Sequence, residues 1–237
     1  MNAIKILSAF ILSAGIFMAG FFISQTAVNA NVGANTVEVR GLSERRVKSD
    51  RAFWNIEYNV VRRGMNINTA DLYQESDNSQ KIIIAFLKEV GFTENEIQAP
   101  LVRFDKYDYR DNQQRLVDME YRLKGFIGLD TQNVDLVNAA RVKITDLNKK
   151  GVDLENQSPN FYFTGLNQIK PEMVKEATIN ARGAAEELAS YANVQVGTIK
   201  RAVQGSFVIQ DVGNKYVDDQ SLEKNVRLVT TITFFLK

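Results

Sequence analysis

From Arg51 the chain alternates, with Ala52, Trp54, Ile56, Tyr58 and Val60 on one side and Asn55, Glu57 and Asn59 on the other, the period-two pattern of a strand with one buried face. Gly64 closes that strand. Residues 66–90 are then rich in helix formers, with Ile83, Phe86, Leu87 and Val90 on one stripe and Gly91 placed as a C-cap. Residues 100–109 and 115–129 predict a hairpin around "YRDNQQ", because Val117, Met119, Tyr121, Leu123 and Ile127 alternate with Asp118, Glu120, Arg122 and Lys124. A helix is expected over 131–150, carrying Val134, Val137, Ile144 and Leu147 at helical spacing and stopped by Gly151.

"SPNFYFTGL" predicts a short aromatic strand. Pro171 then opens a helix at a position where its missing N–H costs nothing, and Val174, Ala177, Ala181, Ala184, Leu188 and Tyr191 form the expected buried stripe. Two closing strands, near 197–209 and 224–236, put Val226, Leu228, Ile232, Phe234 and Leu236 on one face. This order of elements predicts an α+β fold: a mostly antiparallel sheet or sheets covered by about three helices. No Pro/Gly/Ser-rich linker divides residues 36–237, so residues 31–237 are expected to form a single domain, in one lobe or two.

A different pattern precedes this domain. Residues 6–23, "ILSAFILSAGIFMAGFFI", carry no charge, and Lys5 stands before them. A helix of that length rises about 27 Å, close to the roughly 30 Å hydrocarbon core of a bilayer, whereas the apolar part of a signal peptide holds about 7–15 residues. Length favours an uncut N-terminal anchor. Val28 and Ala30 supply the small residues of a cleavage site, so residues 1–30 read either as that anchor or as a signal peptide. In both cases Lys5 on the inner side and the absence of Lys or Arg from Ser24 to Val39 direct the remainder out of the cytoplasm, to the periplasm or the outer face of the cytoplasmic membrane.

Composition narrows the chemistry. The chain has 29 Lys plus Arg against 28 Asp plus Glu, and no global field to attract nucleic acid. It has no Cys and no His, which removes disulfides, thiol nucleophiles, Cys/His zinc sites and every imidazole relay. Carboxylate pairs, Ser–Lys dyads and oxygen-ligand metal sites survive. No motif calls for a cofactor.

Three stretches carry a family resemblance: "VEVRGLSERRVKSDRAFWNI" (37–56), a strand, a Gly, a polar turn and a second strand; "FLKEVGFTENEIQ" (86–98), a helix end and Gly turn; and "ATINARGAAEELASYANVQVGTIKRAV" (177–203), an Ala-rich helix and the strand after it. In this order and spacing they resemble the SIMPL domain family over roughly residues 36–237. Ser49 departs from the pattern, since many members place Pro before the Asp. The resemblance implies an exported bacterial cell-envelope protein with links to stress tolerance and self-assembly. The family has no agreed enzymatic activity, so no catalytic residues carry over.

The candidate sites are few. Arg40, Arg45, Arg46, Lys48 and Arg51 crowd what reads as an entry hairpin and could meet an anion or lipid headgroups, although Glu38, Glu44 and Asp50 lie among them. Asp105, Asp108 and Asp111, with Tyr107 and Tyr109, and the tip "YVDDQ" (216–220) are candidate oxygen-ligand or sugar edges without the spacing of a calcium loop. Ser43 or Ser49 with Lys48 are candidate Ser–Lys dyads, and neither pair has the Ser-x-x-Lys spacing. Phe161, Tyr162 and Phe163 are either core or a subunit interface. The expected function is non-enzymatic, exerted by self-association, as a homo-oligomer, or by partner binding. The alternatives are a module for an anionic lipid or small ligand at residues 40–51 and, last, a carboxylate-based enzyme.

Overall fold

The computed structural model describes residues 2–32, 35–155, 158–213 and 220–237, and within 2–32 the side chains of 10–26. The fold is α+β, with antiparallel sheets of three and five strands. Helix α1 (Asn2–Val32) comes first, and its described side chains are all exposed. Among the described residues no helix is long and apolar enough to cross a membrane. The apolar run begins before the first described side chain, and Val28 and Ala30 also lie outside those described.

The chain divides into two compact units, one of residues 45–169 and 208–226, the other of residues 1–44, 170–207 and 227–237. In the first, the sheet order is β3 (Leu101–Arg110), β4 (Leu116–Thr131), β2 (Arg51–Arg63), β5 (Asp153–Leu154), with β6 (Asn160–Tyr162) also paired to β2. The alternation read from sequence is the alternation observed: Ala52, Trp54, Ile56, Tyr58 and Val60 are buried, facing Leu123, Ile127 and Leu129 of β4 in a shared core. Helix α2 (Thr69–Val90) adds Leu72, Ile83 and Leu87 to that core, capped by the Asn68 side chain at one end and at the other by Gly91, whose φ of 119° only glycine adopts readily.

The helix expected over 131–150 is two: α3 (Val134–Lys143) and α4 (Asp146–Lys149). Beyond Ile144 the backbone bonds tighten to three residues, Leu147 N–H donating to Ile144 and Asn148 N–H to Thr145, which breaks the rod while keeping Val134, Val137, Ile144 and Leu147 buried.

In the second unit the sheet order is β1 (Thr36–Lys48), β8 (Glu223–Leu236), β7 (Val196–Asp211), and α5 (Leu166–Tyr191) lies on it, Ala181 and Ala185 packing with Val39, Ile232 and Phe234. Two expectations are corrected here. Pro171 does not open α5, which starts at Leu166 and holds the proline inside it. The buried stripe is Met173, Ala177, Ala181, Ala185 and Ala189, so Leu188 and Tyr191 are exposed. Close approach decides the phase: the smallest side chains, rather than the most apolar, face the sheet.

The entry hairpin is the larger correction. β1 and β2 do not pair; they belong to different sheets. Gly41 is no turn residue but lies buried within β1, where α5 crosses it. Only Ser49 and Asp50 separate the strands, and that pair lacks the glycine or asparagine a two-residue hairpin turn demands. Their N–H groups donate elsewhere, Ser49 to Leu222 at 2.8 Å and Asp50 to Tyr162 at 2.9 Å.

Candidate functional site

Because β1 is a straight strand, its side chains alternate in direction, and the five cations of 40–51 do not form one patch. Arg40, Arg46 and Lys48 fall on its exposed side and Arg45 on the other. Lys48 Nζ is bonded to Asp135 at 2.5 Å. Arg51 holds Asp130 with both arms of its guanidinium, Nε–Oδ1 2.8 Å and Nη2–Oδ2 2.6 Å. That bond holds the Asp130 carboxyl below the usual carboxylate range, against a smaller opposing effect of burial. Two of the five are therefore already neutralised, and Arg40 and Arg46 form no ion pair among the described residues.

Asp50 has a role the sequence did not suggest. Its carboxylate accepts the Thr164 N–H at 2.8 Å and the Gly165 N–H at 3.0 Å, the donors just ahead of α5. A residue far away in sequence thus satisfies donors at the N-terminal end of α5, which starts at Leu166. Asp50→Ala is expected to cost about 1–2 kcal/mol in urea unfolding, with Asp50→Asn recovering most of it. An unchanged midpoint for the alanine variant would show that the two N–H groups find water instead.

The catalytic candidates do not assemble. The Ser43 hydroxyl donates to Glu176 Oε2 at 2.7 Å, Ser49 Oγ is buried without a hydrogen-bond partner, and Lys48 is held by Asp135. On the hairpin, Asp105 pairs with Arg103 at 3.0 Å, Asp108 lies 3.6 Å from Arg110, and Asp111 accepts Arg115 Nε at 2.8 Å while closing the turn. Among the described residues no group of three or more acidic side chains is arranged to hold a metal. The tip at 216–220 lies outside the described residues, Gln220 excepted. Of the aromatic trio, Phe161 is fully buried opposite Ala52 and cannot serve as an interface; Tyr162 is exposed and Phe163 half-buried.

Two charged clusters escaped the sequence reading. Glu120, almost wholly covered, accepts from Arg63 Nε at 2.8 Å, Arg122 Nη2 at 2.8 Å and the Tyr109 hydroxyl at 3.1 Å. The hydrogen bond from Arg63 is the first cause of a Glu120 carboxyl below its ordinary range, opposed by burial. Asp211 and Lys224 form an ion pair with side chains 2% exposed, and Asp211 Oδ2 also accepts the N–H groups of Gln220 and Ser221. The signal was present: Lys224 is in phase with Val226 and Leu228, so the alternation that buries them buries it.

Both sheets leave long edges. β7 ends the three-stranded order, is exposed over most of its 16 residues and carries Ile199, Val203 and Val208 in the open. β3 ends the other and is likewise exposed.

The sequence profile of SIMPL, described as a protein of unknown function (DUF541), matches residues 37–223. No curated protein matches the chain. Among solved structures it is similar to one titled "Crystal structure of an uncharacterized conserved protein from Listeria innocua", at 13% identity over 78% of this chain and 91% of that one, with a TM-score of 0.20. A score that low supports nothing about the fold.

Proposed function

This chain belongs to the SIMPL family, whose function is unknown, and from that premise we propose that it acts without catalysis, as an exported envelope protein that self-associates through strand β7. The observation that carries the reading is the edge of β7, which has no strand on its outer side among the described residues and carries exposed Ile199, Val203 and Val208. Such an edge is a template for a strand of another copy. Lys200 and Arg201 lie on the same strand, so a copy pairing there must take a register that keeps these cations apart. The uncharged run behind Lys5 supports placement outside the cytoplasm, with α1 as a single anchor whose amino end stays inside, or with residues 1–30 removed. A part in envelope stress tolerance belongs to the same proposal.

Light scattering tests it. For the full 237-residue chain the expected mass is a multiple of 26.7 kDa, falling to that value when Ile199 and Val203 are both replaced by lysine. A strictly monomeric wild type at high concentration would remove self-association, and an unaffected oligomer in the double variant would move the interface off β7.

A further inference from the structure

A notch lies in the first unit between the end of α2 and the α3–α4 pair, with a volume of about 420 Å³. Its floor is apolar: Phe86, Ala140 and Leu147, all buried in the core, with Val90 and Leu136 half-buried as walls. Residues on both sides of the break after Ile144 line it, Ala139 and Lys143 from α3 and Asp146 and Leu147 from α4. Its volume lies within the roughly 300–1,000 Å³ of small-molecule clefts.

The rim decides what kind of molecule fits. Four charged residues line it: Glu89, Lys143, Asp146 and Lys150. Asp146 is taken, since Lys149 Nζ bonds its Oδ1 at 2.7 Å and this hydrogen bond holds its carboxyl below the usual range. Lys143 and Lys150 form no ion pair among the described residues, although the charge of Lys150 also acts on Asp146; with Lys149, three cations face the two carboxylates Glu89 and Asp146. One negative charge on a ligand restores the balance. A neutral apolar compound leaves the excess cation uncompensated, and a two-chain lipid exceeds the space.

We propose that this notch binds a free fatty acid, its chain along Phe86, Leu136 and Leu147 and its carboxylate at Lys143 and Lys150. Lysine stems lie along apolar surface while their ammonium groups stay in water, which places both cations where the head of an amphiphile would emerge. The two lysines also sit near helix C-termini, where they favour the helix dipole; that accounts for their charge but not for the apolar floor they border. β7 contributes nothing to the notch, so this inference stands or falls independently of self-association.

The test is photo-crosslinking of the full chain in nanodiscs with dodecanoic acid bearing a terminal diazirine, followed by peptide mapping. Labelling is expected on peptides carrying residues 86–90 and 136–150, displaced by unlabelled dodecanoate and about tenfold less well by dodecanol. Ala139→Trp, at an exposed position, fills the notch and should abolish that labelling. Lys143→Glu with Lys150→Glu, also on the surface, should weaken it about tenfold. Labelling confined to residues 1–32 or spread over the surface would overturn the proposal, as would labelling that survives the tryptophan. Labelling indifferent to the paired charge reversals would overturn the fatty-acid assignment.

Discussion

Gly41→Ala is expected to be the most damaging single-methyl change in the protein. A Cβ at position 41 would stand 1.8 Å from the carbonyl oxygen of Ala177 and 2.7 Å from the backbone nitrogen of Ala181. Both are main-chain atoms inside α5, so no rotamer change relieves the overlap. Relief requires lifting the helix from the sheet, which opens the contacts of Val39, Ala181, Ala185, Ile232 and Phe234 together. Overpacking a core costs about 1–3 kcal/mol when side chains yield, and here the yielding part is a helix, so the loss should be about 3 kcal/mol or more. Gly183 provides the control: it lies in the same helix, and nothing comes within 4 Å of a Cβ built there. Gly183→Ala should stabilise by up to about 1 kcal/mol through helix propensity alone. Urea unfolding of both variants checks the pair, and a wild-type midpoint for Gly41→Ala would mean that α5 does not rest on β1 in this way.

The same glycine explains what the sequence conceals. Alternation in β2 and β8 and the glycine stops at 64, 91 and 151 were legible because each is a local matter of period or backbone conformation. The sheet in which each strand lies was not. Ser49 and Asp50 find their partners at Leu222 and Tyr162, more than a hundred residues on, and nothing local distinguishes such a linker from a hairpin turn. The phase of α5 was misread because hydrophobicity favours Leu188 and Tyr191, whereas the strand beneath, with a bare backbone at Gly41, selects alanine at every fourth position. The candidate site suffered from a related blindness. Counting cations in 40–51 gave a patch, but their partners Asp130 and Asp135 come from a segment whose proximity only the fold creates. The resemblance to the family succeeded where single motifs were loose because it used their order along the whole chain.

Lys224→Met is the second large effect, and it depends on pH. The pair it breaks is buried on both sides, and Asp211 Oδ2 also accepts the Gln220 N–H at 2.9 Å and the Ser221 N–H at 2.8 Å. Removing the ammonium takes the ion-pair partner from a carboxylate in the interior, a change that costs about 3–5 kcal/mol in comparable sites. Burial alone would raise the Asp211 pKa, but the hydrogen bond from Lys224, then the Ser221 N–H, the charge of Lys224 and the Gln220 N–H outweigh it and hold it low. A carboxyl with a depressed folded pKa stabilises the fold above its unfolded value, about 3.9, and that contribution disappears as pH falls through the folded value. Without Lys224 the burial effect loses its largest opponent, so the acid limb of the stability curve should move to higher pH. The double variant Lys224→Met with Asp211→Asn should be more stable than the single one near neutrality, because an asparagine oxygen still accepts the two N–H groups and no charge is stranded. Urea midpoints measured from pH 3 to pH 8 would show both effects. Superimposed acid limbs for wild type and Lys224→Met would mean that the lysine is not what keeps Asp211 ionised.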